Sequence, residues 1–399
     1  MSTVAERNTQ SLRIGRAHPW RIPVLVAAVV IAGLAARSPI TAVGPLGDRI
    51  GNAYGLSPTA IGALTTVTMV VFMLCSPFST TLGRRWGIEI AIVAGFALSA
   101  VGVGLRTYPA AWALYAGTVL LAAGLCLPNV LLPMVIRRDF PGSVGTMTAV
   151  YTSMMTVGGA LGSWTALPLT RLWGWHAGLA GIGVVAVLAA LAWAPFEREH
   201  HRPGPDDQPT GRSWRRALGW QVSLFFGMQS LLFYSSVAWL VPILVSKGLT
   251  TGSAATLLSL FTLIGLLPAM LVPPLASRAT DQVAVAAGIG ALQILGALGI
   301  VLLTGPALVV AVLVTGIGLG AGMPLGFAFF GLRTRDGHSA GDLAGMAQCV
   351  GYGVAALGPV VMGLLHQWTG DWGLAPWFLV LVGGGTLALG MLSGRRRLL

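Results

Sequence analysis

Long apolar runs, each of about 20 residues or more, alternate with short polar connections along almost the whole chain. A run of ~20 apolar residues makes a helix that crosses the ~30 Å hydrocarbon core of a bilayer. The pattern predicts twelve such helices, at roughly 22–47, 58–82, 88–106, 110–136, 146–170, 175–195, 218–246, 252–276, 282–303, 306–331, 342–368 and 371–392. A β-barrel does not fit, because its strands would read as alternating segments of about ten residues. The predicted fold class is therefore an all-α membrane protein of twelve transmembrane helices. One polar interruption is long: Phe196 to Arg216 gathers Glu, His, Arg, Pro, Gly and Asp and has the composition of an unstructured linker. It divides the chain into an N-terminal segment (1–21), a six-helix bundle (22–195), the linker (196–216), a second six-helix bundle (217–392) and a tail (393–399).

The two bundles are similar to one another in sequence. Adding 196 to a position relates Ser57 to Ser253, Pro77 to Pro273, Gly124 to Gly320, Pro128 to Pro324, Arg137 to Arg333, Gly145 to Gly341 and Gly162 to Gly358. The Pro and Arg matches carry the most weight, since Gly is common throughout. A parallel six-plus-six duplication is the repeat pattern of major facilitator transporters, whose sites lie near the midplane between halves.

Composition agrees: 55% of residues are hydrophobic and 9% charged, where a soluble domain is about a quarter charged. The net charge of +12 would suit a nucleic-acid binder, but the placement of the charges decides against that. All 24 Lys and Arg except Arg37, Arg49, Arg106, Arg171 and Lys247 fall on segments that share one face of the twelve-helix map. By the positive-inside rule that face is cytoplasmic, with both termini on it. No removable signal peptide is evident in the first 21 residues. Cys75, Cys126 and Cys349 lie in apolar runs at unrelated spacings and read as packing residues, with no disulfide framework or metal site.

Arg37 is the charge that this map places out of reach of water. It sits ~15 residues, or ~22 Å, into the first span. A cation there costs about 2.5 kcal/mol or more and is usually kept for an ion or substrate pathway. No Asp or Glu is expected mid-membrane to neutralise it, those within the spans standing at their ends, which points to an anionic ligand. The competing structural reading ties the guanidinium to carbonyls that Pro39 exposes by kinking the helix.

The offset relates Arg37 to Phe233 in span seven, and Gln229, Tyr234, Ser230, Ser235, Ser236 and Trp239 surround that position. Gln229, Phe233 and Ser236 share one helical face. Tyr151 in span five, with Thr148, Thr152, Ser153 and Thr156, and Gln348 and Tyr352 in span eleven supply further candidate pocket walls. Serines, threonines and tyrosines in such places also serve as ordinary packing, bonded back to nearby carbonyls. Asn129, between Pro128 and Pro133, fits the repair of a Pro-broken helix better than a ligand. Arg84 and Arg85 after span two, and Arg137, Arg138 and Asp139 after span four, are candidate gating residues. Their pairing with Glu89 and Asp139 would be made or broken as the halves rock.

Several of these segments resemble the cyanate and 2-nitroimidazole porters of the major facilitator superfamily. Span one is similar in Arg37 and in Ile40-Thr41-Ala42-Val43-Gly44-Pro45-Leu46, span seven in Gln229-Ser230, Phe233-Tyr234 and Ala238-Trp239-Leu240, and span eleven in Gly345-Met346-Ala347-Gln348, Gly351-Tyr352 and Gly358-Pro359. The segment from Arg137 to Phe140 and Tyr151 also fits. Ala35 stands where that family often has Asn, Pro39 is displaced behind Ser38, and Arg84-Arg85 replaces the usual Asp of the loop after span two. The resemblance implies secondary transport of a small solute across a bacterial-type inner membrane, cyanate being the anionic example.

The expectation is alternating-access transport of a small anion, cyanate-like or a small carboxylate. Arg37 would bind the charge, Gln229, Tyr234, Gln348 and Tyr352 would donate hydrogen bonds, Phe233 and Trp239 would shape and close the pocket, and Tyr151 would form part of its wall. Efflux of a neutral heteroaromatic is the alternative, and a non-transporting sensor a remote one. The expected partners are the anionic solute and the lipid bilayer, around a monomer. No cofactor or metal is expected, nor an enzyme, since no nucleophile, base and orienting group assemble within the spans.

Overall fold

The computed structural model describes residues 20–43, 46–56, 58–199 and 212–399. Gly44, Pro45 and Ser57, the N-terminal residues to 19 and linker residues 200–211 lie outside the described residues. The described residues form fourteen helices: α1 Arg21–Thr41, α2 Gly47–Tyr54, α3 Pro58–Trp86, α4 Ile88–Arg106, α5 Ala111–Asp139, α6 Val144–Trp193, α7 Arg212–Arg215, α8 Ala217–Ser246, α9 Thr251–Ile264, α10 Leu266–Arg278, α11 Val283–Leu302, α12 Gly305–Leu332, α13 Gly337–Thr369 and α14 Ala375–Gly394. A short 3₁₀ turn, Ala194–Glu199, follows α6.

Twelve crossings follow from these elements. Helix α6 has 50 residues, about 75 Å of helix and more than two bilayer crossings. At Gly174 the backbone turns to φ 83° and ψ 166°, a conformation that favours glycine. Beyond it Gly178 lies against Thr170 and the Ala166 carbonyl, so the chain has reversed and α6 supplies spans five and six. Helices α9 and α10 together make span eight. Pro268 lacks the N–H that would bond the Ile264 carbonyl and its ring crowds that carbonyl, and the helix breaks at Gly265. The break is packed, since a Cβ on Gly320 of α12 would collide with Gly265.

The first six spans and the last six repeat one packing scheme. In the first set α1 packs on α6, and α4 on α5 and α6; in the second α8 packs on α13, and α11 on α12 and α14. Glycines at equivalent positions allow two of these approaches: a Cβ at Gly162 would meet the Ser38 carbonyl, and one at Gly358 the Ser235 hydroxyl. Two seams join the halves, α3 with α13 and α6 with α10, while α5 adds contacts to α13 and α12. Span α5 is the most enclosed, with 83% of its apolar window buried, against 22% for residues 252–278. The latter turn Leu260, Leu263, Leu267 and Leu271 outward, as a lipid-facing helix must.

Ion pairs fix which ends share a face. Arg21 lies 3.6 Å from Asp139 and Arg84 lies 3.3 Å from Asp342. This is the terminal face; the other is called distal below.

Candidate functional site

Helix α1 carries Arg37, and its packing on α6 sets where that side chain goes. Gly33 and Gly158 let the backbones touch: a Cβ at Gly33 would meet the Tyr151 carbonyl at 2.8 Å, and one at Gly158 the Leu34 carbonyl. Thr41 Oγ1 donates to the Gly159 carbonyl at 2.8 Å, fixing the register. The bare face of Gly159 leaves the Arg37 stem in ordinary contact, 3.8 Å from where a Cβ would stand. Held so, the half-buried guanidinium reaches across to the second half of the molecule. Its Nη2 donates to Met323 Sδ of α12 at 3.0 Å, and Cζ lies 5.0 Å from the ring centre of Phe233 on α8.

Neither partner neutralises the charge. A thioether is a weak acceptor, and the ring face contributes about 2 kcal/mol where water is excluded. No acidic side chain among the described residues pairs with Arg37. The structural alternative, a guanidinium tied to kink carbonyls, does not hold either: Pro39 frees the Ala35 carbonyl, and the Arg37 guanidinium donates to no backbone carbonyl among the described residues.

Tyr234 stacks edge-on against Phe233 at 5.3 Å. Tyr151 lies on the stretch of α6 that packs against α1, its carbonyl facing Gly33 one turn before Arg37. Tyr352 packs on Phe72 of α3 at 5.0 Å and on Phe226 of α8 at 5.8 Å. Phe327 of α12 joins Tyr151 and Phe226, at 5.9 and 5.3 Å. An aromatic wall drawn from both halves thus stands beside one uncompensated cation.

Tyr151 and Gln348 meet at Asn129, a junction created by proline chemistry. Pro133 has no N–H, so the carbonyl four residues earlier, on Asn129, loses its helical donor. Gln348 Nε2 of α13 donates to that carbonyl at 2.9 Å from the other half, and Tyr151 donates to the Asn129 side-chain oxygen at 2.7 Å. The repair expected of Asn129 is real, but its backbone receives it and the opposite bundle supplies it. Gln348 Oε1 is left without a hydrogen-bond partner.

Two candidate residues lie elsewhere. Gln229 is buried and pairs its amide with Gln293 of α11, whose Nε2 donates to Gln229 Oε1 at 2.7 Å and to the Gly318 carbonyl at 3.0 Å. Trp239 donates to the Pro359 carbonyl at 2.8 Å and stacks on Trp372 at 5.0 Å, towards the distal face of the second half. Thr152 and Thr156 bond back to their own helix, whereas Ser230, Ser235 and Ser236 make no hydrogen bond among the described residues.

At the terminal face the expected ion pairs rearrange. Arg138 pairs with Glu89 at 2.8 Å and Asp139 at 2.7 Å, a cluster wholly within the first half. Rocking of the halves would leave it intact. The pair that spans the halves is Arg84 with Asp342, on α3 and α13, and Arg137 adds bonds to the Thr334 and Arg335 carbonyls at 3.2 and 3.4 Å. Arg85 is exposed. Arg333, the repeat mate of Arg137, instead caps its own half, donating to the Ser393 and Gly394 carbonyls. Arg37 is not the charge most removed from water: Arg106, Arg333 and Glu89 are 2%, 4% and 1% exposed. These three reach inward from span ends, where a snorkelling side chain would have turned outward.

A family model described as the Major Facilitator Superfamily matches residues 24–355. The chain belongs to this superfamily. It is 36% identical over 353 residues to the 2-nitroimidazole transporter of Escherichia coli (strain K12), covering 88% of this chain and 90% of that protein. It is 26% identical over 347 residues to the cyanate transport protein CynX of the same organism, covering 86% and 90%. Among solved structures the proton:xylose symporter XylE superposes with a TM-score of 0.76 at 12% identity, over 93% of this chain and 95% of that one. This superfamily transporter is therefore a multi-pass membrane protein that carries a small solute, and not an enzyme.

Proposed function

We propose that this transporter moves a small planar monoanion, cyanate-like or a small carboxylate, by alternating access between its two halves. The single observation that carries the reading is the Arg37 guanidinium, which faces the seam with only a sulfur and a ring face for partners among the described residues. An anion there would supply the charge that the protein does not, through charge-assisted bonds. Phe233, Tyr234, Tyr151 and Tyr352 would lie around a flat solute, with Gln348 Oε1 an acceptor in reserve. Arg84, Asp342 and Arg137 would hold the state closed on the terminal face, which the arginine distribution assigns to the cytoplasm with both chain ends.

Efflux of a neutral nitroheteroaromatic is a second reading, favoured by the aromatic walls and by the name of the 36% identical relative. Arg37 would then donate to the nitro group. Counterflow in proteoliposomes separates the two. Preloaded cyanate or benzoate should drive uptake of the labelled anion, whereas selective exchange of a labelled 2-nitroimidazole would replace the anion reading, and exchange of neither would reject both.

A further inference from the structure

Arg106 poses the same electrostatic problem as Arg37 in a different place. It ends α4 near the distal face, where a side chain could turn to the headgroups, yet it runs inward and is 2% exposed. Its stem crosses α5 at Gly117, where a Cβ would stand 2.7 Å from Arg106 Cγ, so the inward path exists only over glycine. One hydrogen bond is made, from Nη1 to the Pro39 carbonyl at 2.9 Å. Nε has no partner, and no acidic side chain among the described residues pairs with the guanidinium.

Beside it lies a cavity of about 10 Å³, lined by Ile40, Val43, Leu64, Thr68, Thr118 and Leu121 together with Arg106 itself. That is room for a single water-sized occupant. The Thr68 and Thr118 hydroxyls bond back to the Leu64 and Leu114 carbonyls at 3.0 and 2.7 Å, and either can turn to donate into the cavity. A water would satisfy Nε but leave the charge uncancelled; a monatomic anion does both.

We propose that Arg106 holds one small inorganic anion, chloride-like in charge, at a site separate from Arg37, with the cavity lining giving slightly to admit an ion larger than water. The same guanidinium grips the Pro39 carbonyl, two residues after Arg37, so the bound anion also steadies the end of α1. This inference does not rest on the identity of the transported solute.

The test uses the purified full-length protein in chloride-free gluconate buffer. Chloride or bromide should raise the melting temperature saturably by a few degrees. The rise should persist in Arg37→Gln and vanish in Arg106→Leu. Equilibrium binding of radioactive chloride should reach about one per chain in the wild type and in Arg37→Gln, and bromide anomalous scattering should peak beside Arg106 Nε. The wild-type and Arg37→Gln measurements decide the matter if Arg106→Leu does not fold. No chloride binding, or binding lost with Arg37 and kept without Arg106, overturns the proposal; the first result means that the cavity holds water only.

Discussion

Replacing Arg37 separates a solute-binding cation from a structural one. Glutamine keeps length and hydrogen-bonding capacity but removes the charge. A charge-assisted hydrogen bond to a bound anion contributes about 1.5–3 kcal/mol. At 1.4 kcal/mol per tenfold, Arg37→Gln should weaken apparent affinity for the anion by about 10- to 150-fold. Arg37→Lys keeps the charge but loses the flat face now 5.0 Å from the centre of Phe233. Its loss should be smaller, about 2- to 30-fold for a cation–π contact of ~0.5–2 kcal/mol. Because Arg37 ties no carbonyl or carboxylate among the described residues, neither variant should lower stability by more than the ~0.5–2 kcal/mol of its contact with Phe233. The assay is concentration-dependent counterflow of labelled anion in proteoliposomes, beside a melting curve of the same preparation. Uptake by Arg37→Gln within twofold of wild type refutes the assignment. A large drop in melting temperature alongside lost uptake returns Arg37 to a structural role.

Three further substitutions probe the frame around that site. Asp342→Asn removes the half-to-half ion pair, both of whose side chains are about one-fifth exposed. At ~0.5–1 kcal/mol the loss should speed maleimide labelling of the half-buried Cys75 and Cys349 about two- to five-fold; an unchanged rate counts against a latch here. Gln348→Leu strands the Asn129 carbonyl and should cost about 1–3 kcal/mol in unfolding free energy. Combined with Tyr151→Phe, its effect should be non-additive, because both side chains act on Asn129. Gly174→Ala forces a β-carbon onto a backbone at φ 83° and should destabilise by about 1–3 kcal/mol while leaving the apparent KM for solute unchanged; equal melting temperatures would refute the strain.

The spans were legible because a bilayer imposes one length scale on every helix, so the hydropathy pattern alone predicts twelve crossings. Even the fusion of spans five and six into one 50-residue helix keeps the reversal at Gly174. Arg37 was legible for a similar reason, as a charge in an apolar run. Periodicity states which residues share a helical face, but not which neighbour that face meets. For that reason Gln229 was grouped with Phe233, although it turns to Gln293, and Trp239 was placed in a pocket wall, although it caps the Pro359 carbonyl. Phe72, Phe226 and Phe327 carry no polar mark that distinguishes them from packing. Met323 could be found only through the partner it meets. Asp342 was hidden at the edge of its span, and sequence proximity instead suggested Glu89 and Asp139 as partners for the terminal-face arginines. For Arg106 and Arg333, both near span ends, the sequence shows only the face on which each falls, because their carbonyl partners lie on other elements.

The terminal-face contacts have a magnitude that suits a moving part. Polar links between the halves are Arg84 with Asp342, Arg137 with two carbonyls, and Gln348 with the Asn129 carbonyl. Each of these three links is worth about 0.5–1.5 kcal/mol net, which places the set at about 1.5–4.5 kcal/mol. Carrying a two-state equilibrium from 1:99 to 99:1 takes about 5.5 kcal/mol of differential binding, so a latch of this strength stays within reach of a bound solute. The links inside each half are of another kind. Arg138 is shared between Glu89 and Asp139, and Arg333 is buried on the Ser393 and Gly394 carbonyls. Removing one partner from a buried charge of that sort costs about 3–5 kcal/mol. Contacts within a half should therefore outlast contacts between halves, so that in the proposed cycle each bundle would move as a body. Arg37 belongs to the weaker class: its tie to Met323 crosses between the halves and satisfies no charge, so the proposed anion would have little to displace.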